Sequence, residues 1–291
     1  MSAGTINSPQ LLLLSGIGPK THLNANGIKC RVDLPVGQNL QDHVGTVLGP
    51  MLINESHSLI PDRNISLSAL TDYMYNGTGP LAFLPVSVTG KISSSFAHPS
   101  WPDLFVHQAA IAPHTGSGPF IRVLEDALGF QQNFLSTFTE GSEGKDAFYN
   151  ALSLGRPYSR GQLTLRSSDP FDKPLIDPKY YSDPRDAEIM IEGMLCELEN
   201  HKIRARIWIC SFEGIQKLLR IYEDSSIFKN LNATLANGPV EGCDKYGVGS
   251  KKYWDCFIRT FTVTIWHPCC TCPMKSHNIS ANDGVVDSKL R

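Results

Sequence analysis

Apolar runs along this chain are short, and most are bracketed by residues that start or stop an element. Leu11-Leu12-Leu13-Leu14 follows Ser8-Pro9 and precedes Gly16. Ser8 suits an N-cap because its hydroxyl accepts a first-turn N–H. Pro9 suits the first helical position, and Gly16 a left-handed stop. The pattern therefore predicts a short helix opening at Ser8, followed by a second unit from Pro19 through Leu23 to Gly27. Residues 44–60 read as extended. Leu67, Leu70 and Met74 share one face of a helix over Ser66–Tyr75, stopped by Asn76-Gly77-Thr78-Gly79-Pro80. Alternation over Asp103–Ile111 predicts a strand. Residues 112–149, rich in Gly, Ser and Pro, read as loop with one short helix.

Two further strands are read at Ala151–Leu154 and Gln162–Leu165, joined by a hairpin-like turn over Gly155–Gly161. The prolines of Ser168–Tyr181 exclude a central strand and favour an extended loop. Asp183-Pro184 opens a helix with Ile189, Ile191 and Leu195 as apolar positions. Ser250 caps another, carrying Tyr253, Trp254, Phe257 and Ile258. Phe261–His267 reads as a strand ending at a histidine.

Composition narrows the functions. The 291 residues carry a net charge of −2, with neither a basic run nor an acidic tail. That argues against a nucleic-acid or anionic-membrane surface. No apolar stretch approaches the roughly 18 residues needed to span a bilayer, and no signal peptide is read. Eight cysteines form no obvious small-scaffold framework. Sequons at Asn54, Asn64, Asn76, Asn232 and Asn278 fit a secreted parent protein.

Candidate chemistry centres on His267. Pro268 biases it toward extended backbone and fixes its exit direction. A histidine after a strand is more often structural than catalytic, so the residues alone leave both readings open. A rival reading makes His267, Cys269, Cys270, Cys272 and His277 a zinc cluster. Their spacing lacks the paired arrangements such sites use, and the expectation is no metal. The helix N-terminus at Ser8-Pro9 is also a favourable place for phosphate or a flavin edge.

The string Gly4–Gly18, with Asn7-Ser8-Pro9 inside it, and the loop Leu34–His43 resemble the second signature and FAD-contact loop of the glucose-methanol-choline (GMC) flavin oxidoreductases. Trp266-His267-Pro268 with Thr271-Cys272-Pro273-Met274 resembles the motif that carries that family's active-site base. Asn76–Pro80 and Leu175-Ile176-Asp177-Pro178 are similar to the insect glucose-dehydrogenase-like branch. The resemblance implies an α+β (mixed α/β) fold. It would combine part of a Rossmann-like FAD domain with a substrate domain whose antiparallel sheet is backed by helices. The expected boundaries are 1–48 for the end of the FAD-binding domain, 49–158 for a substrate-domain portion and 159–291 for the C-terminal domain.

The resemblance also implies FAD as cofactor, contacted by Asn7, Ser8, Pro9, Gly37, Asn39, Asp42 and Trp266. His267 would take the hydroxyl proton of a small-molecule alcohol or sugar, and Trp266 and Cys269 would pack near the flavin ring. The electron acceptor, oxygen or quinone, stays open. Departures from the family pattern are Cys269-Cys270 after His-Pro, then Pro273 and Lys275-Ser276. The family's upstream glycine-rich fingerprint and its second active-site His or Asn have no match in the 291 residues. The expectation is therefore impaired activity and poor flavin retention. A non-catalytic fragment or decayed copy, and a secreted binding protein reusing the substrate domain, stand as alternatives.

Ile191-Glu192-Gly193-Met194 is echoed by Phe212-Glu213-Gly214-Ile215. The stretch at about 193–213 has no counterpart in the family pattern and reads as an in-frame insertion of unremoved intron sequence, with a lineage-specific loop as the alternative. Sequencing of the mature transcript should show a message lacking those codons. An abundant message that retains them would rule the insertion out.

Overall fold

The computed structural model describes residues 2–82, 86–112, 119–142, 144–191, 225–236, 240–247, 250–275 and 284–290. The repeated Glu-Gly steps and the suspected insertion lie outside or at the edge of these residues. Helices and antiparallel sheets alternate along the chain, the mixed class the sequence implies. The chain divides into two units: one from residues 1–43, 157–186 and 265–291, the other from residues 44–156 and 187–264. Both are discontinuous in sequence, whereas the boundaries read from the sequence are continuous.

In the first unit, helices α1 (Gly4–Leu14) and α2 (Lys20–Ala25) pack with a three-stranded antiparallel sheet ordered β1 (Gln38–Leu40), β6 (Gly161–Thr164), β7 (Leu175–Asp177). Leu13, Leu23, Val36, Leu163 and Leu165 form its core. Only one leucine of the Leu11–Leu14 run is fully buried, and Leu11 faces solvent. Gly16 closes α1 with φ +84°, as expected of a helix-ending glycine. β7 is an edge strand with all three residues exposed, consistent with its flanking prolines.

The second unit holds β2 (Val44–Leu52), β3 (Val86–Ile92), β4 (Leu104–Ala109), β5 (Ala147–Leu154), β8 (Thr234–Leu235) and β9 (Thr262–Thr264). They form one sheet of order β3-β4-β5-β2-β8, with β9 also on β2. Thr262–Thr264 pairs Thr46–Val44, and Leu235 pairs Met51. Both added strands thus use β2, at different points along it. Helix α9 (Lys251–Thr260) starts where Ser250 Oγ accepts the Tyr253 N–H at 3.1 Å. It buries Tyr253, Trp254, Phe257 and Ile258. A disulfide, Cys243–Cys256, ties the preceding loop to it.

Three local readings are corrected. Residues 112–149 contain two helices, α5 (Pro119–Leu128) and α6 (Phe134–Phe138). Glu125 of α5 is 1% exposed, and its carboxylate accepts the N–H groups of Asn133, Leu135 and Ser136 at 2.9, 2.7 and 3.3 Å. Those are free donors of the α6 first turn, and meeting them compensates the burial of a charge. Phe134 and Phe138 then stack around Phe261, with centroids 5.1 and 4.6 Å from it. Glycine and serine content masked this arrangement.

The turn over 155–161 is not a hairpin, because β5 and β6 lie in different sheets. The N–H groups of Tyr158 and Ser159 go to the buried Asp186 carboxylate, at 2.7 and 2.8 Å, instead of across a ladder. The face of α4 (Leu67–Asn76) read as apolar is outside: Leu67 is 80% exposed and Met74 71%, while Ala69 is the buried residue. Periodicity identifies a stripe without saying which surface receives it. The stop of α4 is as read, with Gly77 left-handed at φ 63°, and at its start Ser66 is the N-cap, its Oγ accepting the Ala69 N–H.

Among the described residues no helix is long and apolar enough to cross a membrane.

Asp146 organises the start of the loop beyond β2. Its carboxylate accepts two Arg63 N–H groups at 2.8 Å each and the Ser58 N–H at 2.9 Å. Burial pushes its pKa up, but Arg63 and the Ser58 N–H outweigh that and hold it below 3.8. A carboxylate depressed in the folded state stabilises above its unfolded value, and that contribution fades as pH falls through the folded value. Asp146→Asn should therefore cost about 1–2 kcal/mol at neutral pH. In urea titrations the gap from wild type should close below the ordinary carboxylate range. A gap of equal size at low pH would contradict this.

Candidate active site

The site begins with a proline inside a helix. Helix α1 opens at Gly4, four residues before the expected start, so Ser8 is not its N-cap and Pro9 is not its first residue. Ser8 Oγ still accepts a backbone N–H, that of Ala3, at 3.1 Å. Pro9 has no N–H to give the carbonyl four residues back. That carbonyl belongs to Thr5, and the buried Thr271 hydroxyl donates to it at 2.7 Å. The Thr5 hydroxyl in turn donates to the Pro268 carbonyl at 2.9 Å. Two reciprocal bonds thus tie the first turn of α1 to the segment after His267. They replace the helical bond that Pro9 removes.

The loop Gly37–His43 is joined to the same segment. The Gly37 N–H donates to the Thr271 carbonyl at 2.8 Å, and its own carbonyl accepts from Leu163 N at 2.7 Å. Its φ is +81°, and a Cβ there would run into the Leu163 carbonyl. Both facts require glycine. Gln41 and Cys269 exchange backbone bonds at 3.1 and 2.8 Å. Asn39 Nδ2 donates to the Cys270 carbonyl at 3.3 Å.

Asp42 joins three segments. It is 8% exposed. Oδ1 accepts the His267 backbone N–H at 3.1 Å, and Oδ2 takes a short hydrogen bond from the Tyr180 hydroxyl. With its backbone so held, the exposed His267 ring meets His43, Nδ1 to Nδ1 at 3.1 Å. The rings are nearly perpendicular, at 78° with centroids 5.2 Å apart.

Strain concentrates here. Eight described non-glycine residues have positive φ. Five of them, Asn39, Lys179, Tyr181, Trp266 and Cys270, flank Asp42, Tyr180 or His267 in the three joined segments. Such conformations cost about 1–3 kcal/mol each and persist only where the surroundings enforce them. Trp266, at φ 58°, is 60% exposed beside His267.

The Cys269 thiol is pushed up to about 12 by burial of its sulfur and by a hydrogen bond and charge from Cys270. Asp42 adds to the shift and Arg160 opposes it. Cys269 therefore stays a thiol at neutral pH, unsuited to act as a nucleophile. Burial also raises the Cys272 thiol. Among the described residues no group of three His, Cys, Asp or Glu side chains is placed to hold a metal ion. His277, part of the zinc reading, lies outside them.

The structure thus brings His267, Asp42, Asn39 and Gly37 together and places Trp266 next to His267. Asn7, Ser8 and Pro9 lie on α1, whose first turn is tethered to Pro268 and Thr271. Asn7 is exposed, Ser8 half-buried and Pro9 buried. Sequence reasoning missed His43, Tyr180, Thr5 and Thr271 as members of the site. His43 had a signal, since it adjoins Asp42 in the loop already singled out. Tyr180 had none, being brought in only by folding of the proline-rich loop. A surface cleft of about 530 Å³, lined by His22, Asp33, Gln38, Gln162 and Thr164 among others, contains none of the paired residues.

Residues 1–45 and 157–291 each match a family model described as GMC oxidoreductase. The chain belongs to the GMC oxidoreductase family. Ecdysone oxidase of Spodoptera littoralis is 28% identical over 295 residues, covering 100% of this chain and 42% of the relative. Glucose dehydrogenase (FAD, quinone) of Drosophila pseudoobscura pseudoobscura is 28% identical over 298 residues, covering 100% and 40%. Among solved structures, pyridoxine 4-oxidase from Mesorbium loti matches with a TM-score of 0.61 at 22% identity, over 99% of this chain and 42% of that one. That likeness shows the fold. The chain spans about two fifths of the length of these curated relatives.

Thr271→Val should leave the Thr5 carbonyl without its donor in a buried position and cost about 1–3 kcal/mol. Urea unfolding measures this. A variant as stable as wild type would show that the clamp carries no net stabilisation.

Proposed function

We propose that this chain carries part of the active centre of an FAD-dependent oxidoreductase acting on CH–OH groups of alcohols or sugars, with His267 as the base. The observation that carries the reading is an exposed imidazole on a backbone fixed by Asp42 and paired with a second imidazole. An imidazole titrates near neutral pH, which suits removal of a hydroxyl proton during oxidation. The names of the relatives, ecdysone oxidase and glucose dehydrogenase (FAD, quinone), support a flavin cofactor and a hydroxyl-bearing small molecule.

The residues present fit the flavin. Asn7 is an exposed amide, Asn39 a half-buried one, and Trp266 offers 60% of its surface in a strained conformation beside His267. These three would hold the group. Bound FAD supplies the acceptor for the hydride leaving the carbinol carbon. Gly37 and Asp42 contribute by shaping the loop, since their polar groups are taken by Thr271, Leu163, Tyr180 and His267. Ser8 and Pro9 set where α1 begins and which carbonyl it frees. His267 binds the substrate hydroxyl and takes its proton. Oxygen and quinone both remain open as final acceptor.

The same reading places the parent protein outside the cell or in the secretory pathway. Support comes from the Cys243–Cys256 disulfide and from exposed sequon asparagines at Asn54, Asn76 and Asn232.

With FAD in excess, the protein should reduce an indophenol dye when given a primary or secondary alcohol or an aldose. His267→Asn should lower kcat by about 10²–10⁴-fold while circular dichroism stays unchanged. Absence of turnover across such substrates, or a variant as fast as wild type, would overturn the assignment.

A further inference from the structure

We propose that His43 is a positioning residue that sets the tautomer of His267. It accepts the His267 Nδ1 proton and so leaves the lone pair on Nε2, the ring nitrogen directed away from the pair. The catalytic meaning of this pairing rests on His267 being the base; the pairing itself does not.

Two imidazole nitrogens 3.1 Å apart share one proton. Two lone pairs would repel, and two N–H groups would clash. One ring is therefore the Nδ1–H tautomer and the other is not. If His43 donated, neutral His267 would carry its proton on Nε2 and present no basic nitrogen outward. If His267 donates, its Nε2 is basic.

Burial selects between the two. His267 is exposed and His43 half-buried, and desolvation disfavours charge on the more buried ring. When the pair takes up a proton, the cation therefore settles on His267, whose Nδ1–H points at neutral His43. The same bond becomes charge-assisted and stronger. Loss of that proton from Nε2 leaves the Nδ1–H form in place. The proton moves on and off Nε2 while the shared one stays put.

Asp42 accepts the His267 backbone N–H and the Tyr180 hydroxyl. Cys269 and Cys270 follow two and three residues along, and Arg160 acts on Cys269.

The test is nuclear magnetic resonance of the full chain labelled with ¹⁵N-histidine, with His267 assigned by its loss in His267→Asn. His267 should be in the Nδ1–H form in wild type. In His43→Leu the Nε2–H form should become the major one as the acceptor for the Nδ1 proton is lost. In His43→Asn the side-chain carbonyl can accept instead, and the tautomer should stay that of wild type. His267 in the Nε2–H form in wild type would overturn the proposal without any variant. So would an unchanged tautomer in His43→Leu. If the pair behaves as stated while His267→Asn keeps full turnover, the pairing stands and the base assignment falls.

Discussion

A buried carboxylate must be met by donors, and in the first unit the site depends on how Asp42 is met. One oxygen takes the His267 backbone N–H and the other the Tyr180 hydroxyl. Three segments distant in the sequence, around residues 42, 180 and 267, are fixed to one side chain in this way. Leaving a charge buried without these bonds costs several kcal/mol. The strained backbones at Trp266, Lys179 and Tyr181 are the local expense of presenting those donors. Lost donors would release the His267 backbone N–H from Asp42 and loosen the seat of the ring beside His43.

The same device recurs elsewhere. Glu125 meets the first turn of α6, Asp146 meets Ser58 and Arg63, and Asp186 meets the Tyr158 and Ser159 backbone. Each carboxylate organises a stretch that regular hydrogen-bond ladders do not cover. A net charge of −2 gave no hint of this, because the total charge is silent about which carboxylates turn inward. Acidic residues here are framework as much as surface.

Legibility in the sequence follows the range of the interactions. Caps and stops were readable at Gly77, Ser250 and Gly16, where a hydroxyl or a missing Cβ acts within a few residues. The strand at Leu104–Ala109 was readable from alternation, as was the second half of Ala147–Leu154 from Ala151 on, while its first residues were read as loop. What failed was non-local. The Gly155–Gly161 turn looked like a hairpin because its flanks alternate, while Asp186, far along the chain, decides otherwise. The α4 stripe was a true stripe assigned to the wrong side. Ser8-Pro9 had every local mark of a helix start, and only the Thr271 hydroxyl makes an earlier start tenable. Of the site, the family motifs picked out His267, Asp42 and the Gly37 loop, but His43 and Tyr180 needed coordinates.

Pro9 shows how a defect can carry information. A regular helix hides its carbonyls along its length, so one stretch of its side offers a neighbour little that differs from the next. By deleting one donor, Pro9 singles out the Thr5 carbonyl as an attachment point. The helix then carries a unique mark, fixed in both height and rotation, to which the partner segment registers. Sliding α1 by one residue would swing that mark by about 100° around the axis and break the match with Thr271. The proline thus works as a keyway: it costs the helix one bond and gives the segment bearing His267 a single seat.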